Sequence, residues 1–140
     1  MSKKSRLLVG LSLLLAAFIA GFAPQYIEKG RLQGQLDSAN GRLEAMQSDL
    51  KMAELRDLSG LMLTEVLRRN YGSAAEYSSR YFEKVRQASQ ETANAARQEG
   101  LRELLANRDP ITAVLAQADP ASAAKIQQLY ARTFEVTRNE

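Results

Sequence analysis

Glu99 and Glu103, one helical turn apart, have the spacing that paired carboxylates need for general acid–base chemistry. Such work requires a pocket that pushes the two acidities apart, and this pair lies in a polar stretch where solvated charge is the expectation. The hydroxyl candidates, Ser78-Ser79 and Ser59-Gly60, stand without a Gly-x-Ser-x-Gly elbow and without a histidine to take a proton. The 140 residues contain neither histidine nor cysteine. That absence removes thiolate nucleophiles, imidazole bases, disulfides and the usual zinc, haem and iron–sulfur ligands together. There is no glycine-rich loop to cradle a phosphate. The expectation is a chain with no catalytic activity of its own, no metal and no cofactor.

Charge narrows the partners. The 19 basic and 16 acidic residues give +3, but Lys3, Lys4 and Arg6 carry that excess, leaving 16 basic against 16 acidic residues after position 27. Nucleic-acid binding draws on a one-signed basic face that releases counterions from phosphates, so no nucleic-acid partner is expected.

The elements that must position any site begin with an apolar run. Leu7 to Ala23 is 17 residues without a charge, about 26 Å of helix at ~1.5 Å per residue. Carried through Pro24, Gln25, Tyr26 and Ile27, it predicts a transmembrane anchor over 7–27 behind a basic tail over 1–6, with membrane lipid as a partner. Lys3, Lys4 and Arg6 favour an inward N-terminus, hence a single-pass inner-membrane protein with its C-terminal domain periplasmic or extracellular. The rival is a cleaved signal peptide with Gly21-Phe22-Ala23 as its small-x-small site, which would release a secreted helical binding or chaperone-like domain. Pro24 directly after that site argues against cleavage.

Leu36, Ala39, Leu43, Met46, Leu50 and Ala53 follow at spacings of three and four, the a and d positions of two to three heptads. This predicts a coiled-coil stalk over 28–53 with Leu36, Leu43, Met46 and Leu50 as the candidate homodimer seam. Gly30 and Gly34 predict a frayed or bent neck at its base. Beyond it, a helical head is expected over 54–140. Leu55, Leu58, Leu61, Met62, Val66 and Leu67 widen the apolar stripe to that of a helix covered by others. Asn70-Tyr71-Gly72 reads as its end, and Ser73-Ala74-Ala75-Glu76 as a capping box that opens the next helix at Ser73. Gly100 predicts a kink, and Asp109-Pro110 and Asp119-Pro120 two further helix starts. No stretch sustains period-two alternation, so the fold class is all-α: anchor, stalk and a small helical bundle.

Tyr77, Tyr81, Phe82, Tyr130 and Phe134 hold most of the remaining aromatic surface, either as the staple of a small core or as a groove for a protein partner. Leu61 followed by Tyr71, Ala74, Ala75, Glu76, Tyr77 and Phe82 resembles one tetratricopeptide helical hairpin over 56–86, which implies a protein-binding hairpin; a hairpin packed by its own tyrosines accounts for the same residues. The overall layout is similar to small bitopic coiled-coil proteins of bacterial envelopes, such as cell-division scaffolds and phage spanins. Together these readings imply a membrane-anchored structural or protein-interaction protein whose head meets another protein.

Overall fold

The computed structural model describes residues 3–138, with the side chains of 3–9 and 19–28 outside the described set. Every element is a helix: α1 (Lys3–Leu67), α2 (Tyr71–Glu91), α3 (Ala95–Leu105), α4 (Arg108–Ala116) and α5 (Ser122–Thr137). Among the described residues there is no strand, and the chain is all-α. It divides into two units, Met1–Ala45 and Met46–Glu140, a boundary eight residues earlier than the 53/54 division that heptad spacing suggests.

The first unit is α1 alone. Its helix runs through Gly30 and Gly34 without interruption, so the neck does not fray there; a helical glycine costs about 1 kcal/mol relative to Ala, which the good helix formers around each one offset. Among the described residues no helix is long and apolar enough to cross a membrane. This overturns the transmembrane anchor and, with it, the single-pass inner-membrane placement. Of the expected span, Gly10–Phe18 has described side chains. The rest of the expected span, 7–9 and 19–27, and the basic tail 1–6 lie outside the described side chains.

The second unit is a bundle closed over one core. Met52, Leu55, Leu58, Met62 and Val66 of α1 are buried with Ala74, Tyr81, Phe82, Val85 and Ala88 of α2, Leu101 and Leu104 of α3, Ile111 and Leu115 of α4, and Ile126 and Leu129 of α5. Each large side chain so buried contributes roughly 1.5–3 kcal/mol. Lys84 with Glu54 at 3.0 Å, and Lys51 with Glu91, show α2 returning antiparallel along α1. α2 packs on α3 and α4, and α5 closes against both.

The helix ends depart from the sequence reading in a consistent way. α1 stops with Arg69 in the left-handed region, φ 62°; the Arg69 amide donates to Val66 O at 2.9 Å and the Asn70 amide to Glu65 O at 2.8 Å, which is a Schellman closure on a non-glycine residue. Gly72 is inside α2 instead. α2 opens at Tyr71 because the Asn70 carboxamide accepts from the Ser73 amide, so the Ser73–Glu76 box does not form the cap. α4 ends in the same closure with Ala118 at φ 50°: the Ala118 and Asp119 amides donate to Leu115 O and Val114 O, both at 3.1 Å. α4 itself starts at Arg108, with Asp109 in its first turn. Asp119 does work locally, its carboxylate accepting from the Ala121 amide at 2.8 Å.

Candidate self-association surface

α1 carries two apolar faces that are out of phase. The seam positions Leu36, Leu43, Met46 and Leu50 are followed by a second series, Met52, Leu55, Ser59, Met62 and Val66, again at spacings of three and four. The step from Leu50 to Met52 turns about 200° around a helix of 3.6 residues per turn. The second series faces the core of the second unit and is at most 3% exposed. The first is open to water: Leu36 and Leu43 are each 58% exposed, Met46 66% and Leu50 70%, and Leu32 extends the row at 54%. Single exposed leucines are ordinary on a protein surface, whereas a row with knobs-into-holes spacing on one helix face has the shape a second helix fits.

The row has definite ends. The a position before it is Lys29 and the one after it is Asp57, both exposed. The d position that follows is Gly60, and the Tyr130 ring of α5 stands 3.4 Å from where a Cβ there would lie. Within the second unit α5 thus covers the prolongation of the seam, leaving Leu32 to Ala53 as its usable length, about 32 Å of helix.

The aromatic candidates separate into two groups. Tyr81 and Phe82 are buried and meet edge to face, centroids 5.1 Å apart. Tyr77 is half-buried against the core, with the Arg80 guanidinium 5.8 Å from its ring centre. Tyr130 and Phe134 contact each other at 4.8 Å on the rim, and Phe134 is 42% exposed, so the expectation of a shared core does not extend to it. Its ring lies under Arg56, 5.9 Å away, while the same guanidinium donates to the Thr137 carbonyl at 2.9 Å and so satisfies the end of α5.

Sequence reading places Thr133 on the packing face of the last helix but assigns no hydrogen-bonding role to the buried hydroxyls. Ser59, Ser78, Thr133 and Thr137 are buried, and Thr133 joins α5 to α2: its hydroxyl donates to Leu129 O at 2.8 Å, which leaves it as acceptor for the Tyr81 phenol at 2.6 Å. Burial pushes the Tyr81 phenol far above its ordinary range, with the Thr133 hydrogen bond pulling weakly the other way. The available signal was position: Ile126, Leu129, Thr133 and Thr137 share one face of α5 by spacing.

Glu99 and Glu103 sit on an open groove of about 1020 Å³ that Arg97, Arg132 and Glu135 also line. Both carboxylates lie beside arginines. Glu103 accepts from Arg132, which also reaches Glu135 at 2.7 Å, and Glu99 lies 3.6 Å from Arg102. Exposed pairs of this kind are worth ~1 kcal/mol or less. The groove is bounded where α3 crosses α5 so closely that a Cβ on Gly100 would lie 2.9 Å from both Val136 methyls; that close approach is what the glycine serves. No family model matches this chain, and comparison with curated proteins and with solved structures gives no match.

Proposed function

We propose that this chain is a structural or protein-interaction protein without catalytic activity, which self-associates through the exposed row on α1 and offers its helical second unit to other proteins. The observation that carries the reading is the pairing of two heptad-spaced apolar rows on one helix, of which only the one from Met52 to Val66 is consumed by the chain's own core. The row from Leu36 to Leu50 remains open to water along a length that matches a short coiled-coil seam. Two to three heptads are marginal in isolation, and each copy here enters association with its helix already formed, so the ordering entropy is spent in folding the monomer.

Sedimentation of the full chain across a concentration series tests this. Wild type is expected to shift from monomer toward dimer, and Leu43→Asp, which places a carboxylate at the middle of the seam, to sediment as a monomer with an unchanged melting curve. An unaltered sedimentation profile for Leu43→Asp would assign the row another purpose.

A further inference from the structure

We propose that the groove along α3 and α5 docks a segment of a partner protein that carries an acidic residue at one end and a basic residue about 9 Å further along, its carboxylate seated between Arg97 and Arg138. The proposal rests on the reading that the second unit meets other proteins, and adds the site and the chemistry of what it meets. Every residue it uses belongs to that unit.

The groove follows from how its two helices lie together. Arg132 reaches Glu103, and Val136, four residues on in α5, stands against Gly100, three residues back in α3. The helices therefore run antiparallel, and the same register brings Arg138 level with the first turn of α3, where Arg97 stands. Gly100 and Val136 give the groove an apolar middle between two charged ends.

Those ends differ in sign. At one, Arg97 and Arg138 both line the groove, and neither has an ion pair among the described residues. Lys51 of α1 pairs with Glu91, three residues before the Asn94 cap of α3, so Asp49 lines the groove at this same end. It too has no ion pair among the described residues, and the three groups together leave one positive charge uncompensated. At the other end Glu103 and Glu135 share Arg132, which leaves one negative charge. Arg97 to Glu103 is about 9 Å along α3.

Two guanidiniums level with each other cannot neutralise one another, whereas a carboxylate between them accepts charge-assisted hydrogen bonds from both. The volume of about 1020 Å³ lies at the upper end of clefts that bury a small ligand, which is room for a short peptide run. A wholly acidic segment would meet Glu103 and Glu135 with like charge, and a wholly basic one would meet Arg97 and Arg138. A segment with both signs in that order complements both ends.

The probe is the capped peptide acetyl-Glu-Ala-Ala-Lys-amide, whose charged residues span about 10 Å when extended. It is titrated at low salt into the isotope-labelled full chain and followed through amide shifts by heteronuclear NMR. Amides of α3 and of the C-terminal turns of α5 are expected to shift. Arg97→Gln and Arg138→Gln are each expected to weaken the affinity about two- to fivefold, and Asp49→Asn, which removes the opposing carboxylate, to strengthen it about twofold. An equal response to capped Lys-Ala-Ala-Lys, unaltered affinity in both arginine variants, or weaker binding by Asp49→Asn overturns the proposal. Shifts confined to another face of the second unit, or no shift at millimolar peptide, also overturn it and leave the wider partner-docking reading standing. That wider reading fails on a separate measurement, crosslinking of the full chain that joins it to no other protein.

Discussion

The direction of the Tyr81–Thr133 hydrogen bond makes an asymmetric prediction. Thr133 spends its only proton on Leu129 O, so the phenol is the donor and Thr133 the acceptor. Tyr81→Phe removes the donor and leaves Thr133 with its helical bond, so the expected loss is that of one net hydrogen bond, ~0.5–1.5 kcal/mol. Thr133→Val removes the acceptor and leaves a fully buried phenol with no partner, at ~1–3 kcal/mol. Both rings and both branched side chains are nearly isosteric, so cavity costs stay small. The double variant replaces a polar pair by an apolar one and is expected to be no worse than Thr133→Val alone, which gives a coupling of about 1 kcal/mol. Urea melts of the three variants measure this, or thermal melts at roughly 4–8 °C per kcal/mol for a unit of this size. If Thr133→Val costs no more than Tyr81→Phe, or if the double variant is simply additive, the assigned donor direction is wrong.

Other consequences of the fold are open to the same measurements. Ala118 pays for a left-handed backbone at the end of α4 that glycine adopts freely, so Ala118→Gly is expected to raise stability by ~0.5–1 kcal/mol in a urea melt, against the usual sign of an Ala-to-Gly change. Gly100→Ala should destabilise by ~1–3 kcal/mol, because the new methyl meets both branches of a stiff valine, and Val136→Ala in the same chain should recover much of the loss. Tyr81 stays protonated when folded while the unfolded phenol ionises near its ordinary 10.0. The stability tied to it is therefore complete below about pH 10 and falls as pH rises beyond, by up to ~1.4 kcal/mol per unit; Tyr81→Phe should flatten that alkaline slope relative to wild type.

The helical class and the absence of a strand among the described residues were legible because long apolar periodicities and Asp-Pro punctuation are local signals, whereas the break between α2 and α3 falls at 92–94, in a stretch read as one helix with a kink at Gly100. The closures were not, since Arg69 and Ala118 occupy backbone positions for which glycine is the usual marker; the hydrogen bonds of the closing turn, with tertiary packing on both sides, outweigh a cost of ~1–2 kcal/mol per residue. The same competition decides the start of α2. Ser73 and Glu76 have the capping-box spacing, yet Asn70 lies immediately after the Schellman turn and its carboxamide reaches the Ser73 amide first, with Glu65 accepting from the other end of the same amide group at 2.7 Å. For the aromatics, recurrence every fourth residue identified a face but not its depth. Phe134 shares that face with Tyr130, and only the position of Arg56 beside it, 78 residues earlier in the chain, explains why its ring rests at the rim and not under it.

The two rows of α1 show what periodicity alone leaves undecided. From Leu36 to Val66 almost every turn carries an apolar residue, and counted in one window these positions merge into a single stripe that widens toward the head. The phase tells more than the count. The first row continues as Asp57, Gly60 and Thr64, none of which a core would select, while Met52 opens a new series at the same spacing on nearly the opposite side. A helix needs only one such face to join its own bundle. Residues of the second series satisfy that need completely, being buried to 3% exposure or less, so the first row has no intramolecular work left to do. Selection for solubility would replace four large apolar side chains at 58–70% exposure with polar ones at almost no cost to the fold. Their presence at seam spacing, bounded by Lys29 at one end and Asp57 at the other, is therefore the strongest argument that another helix covers them.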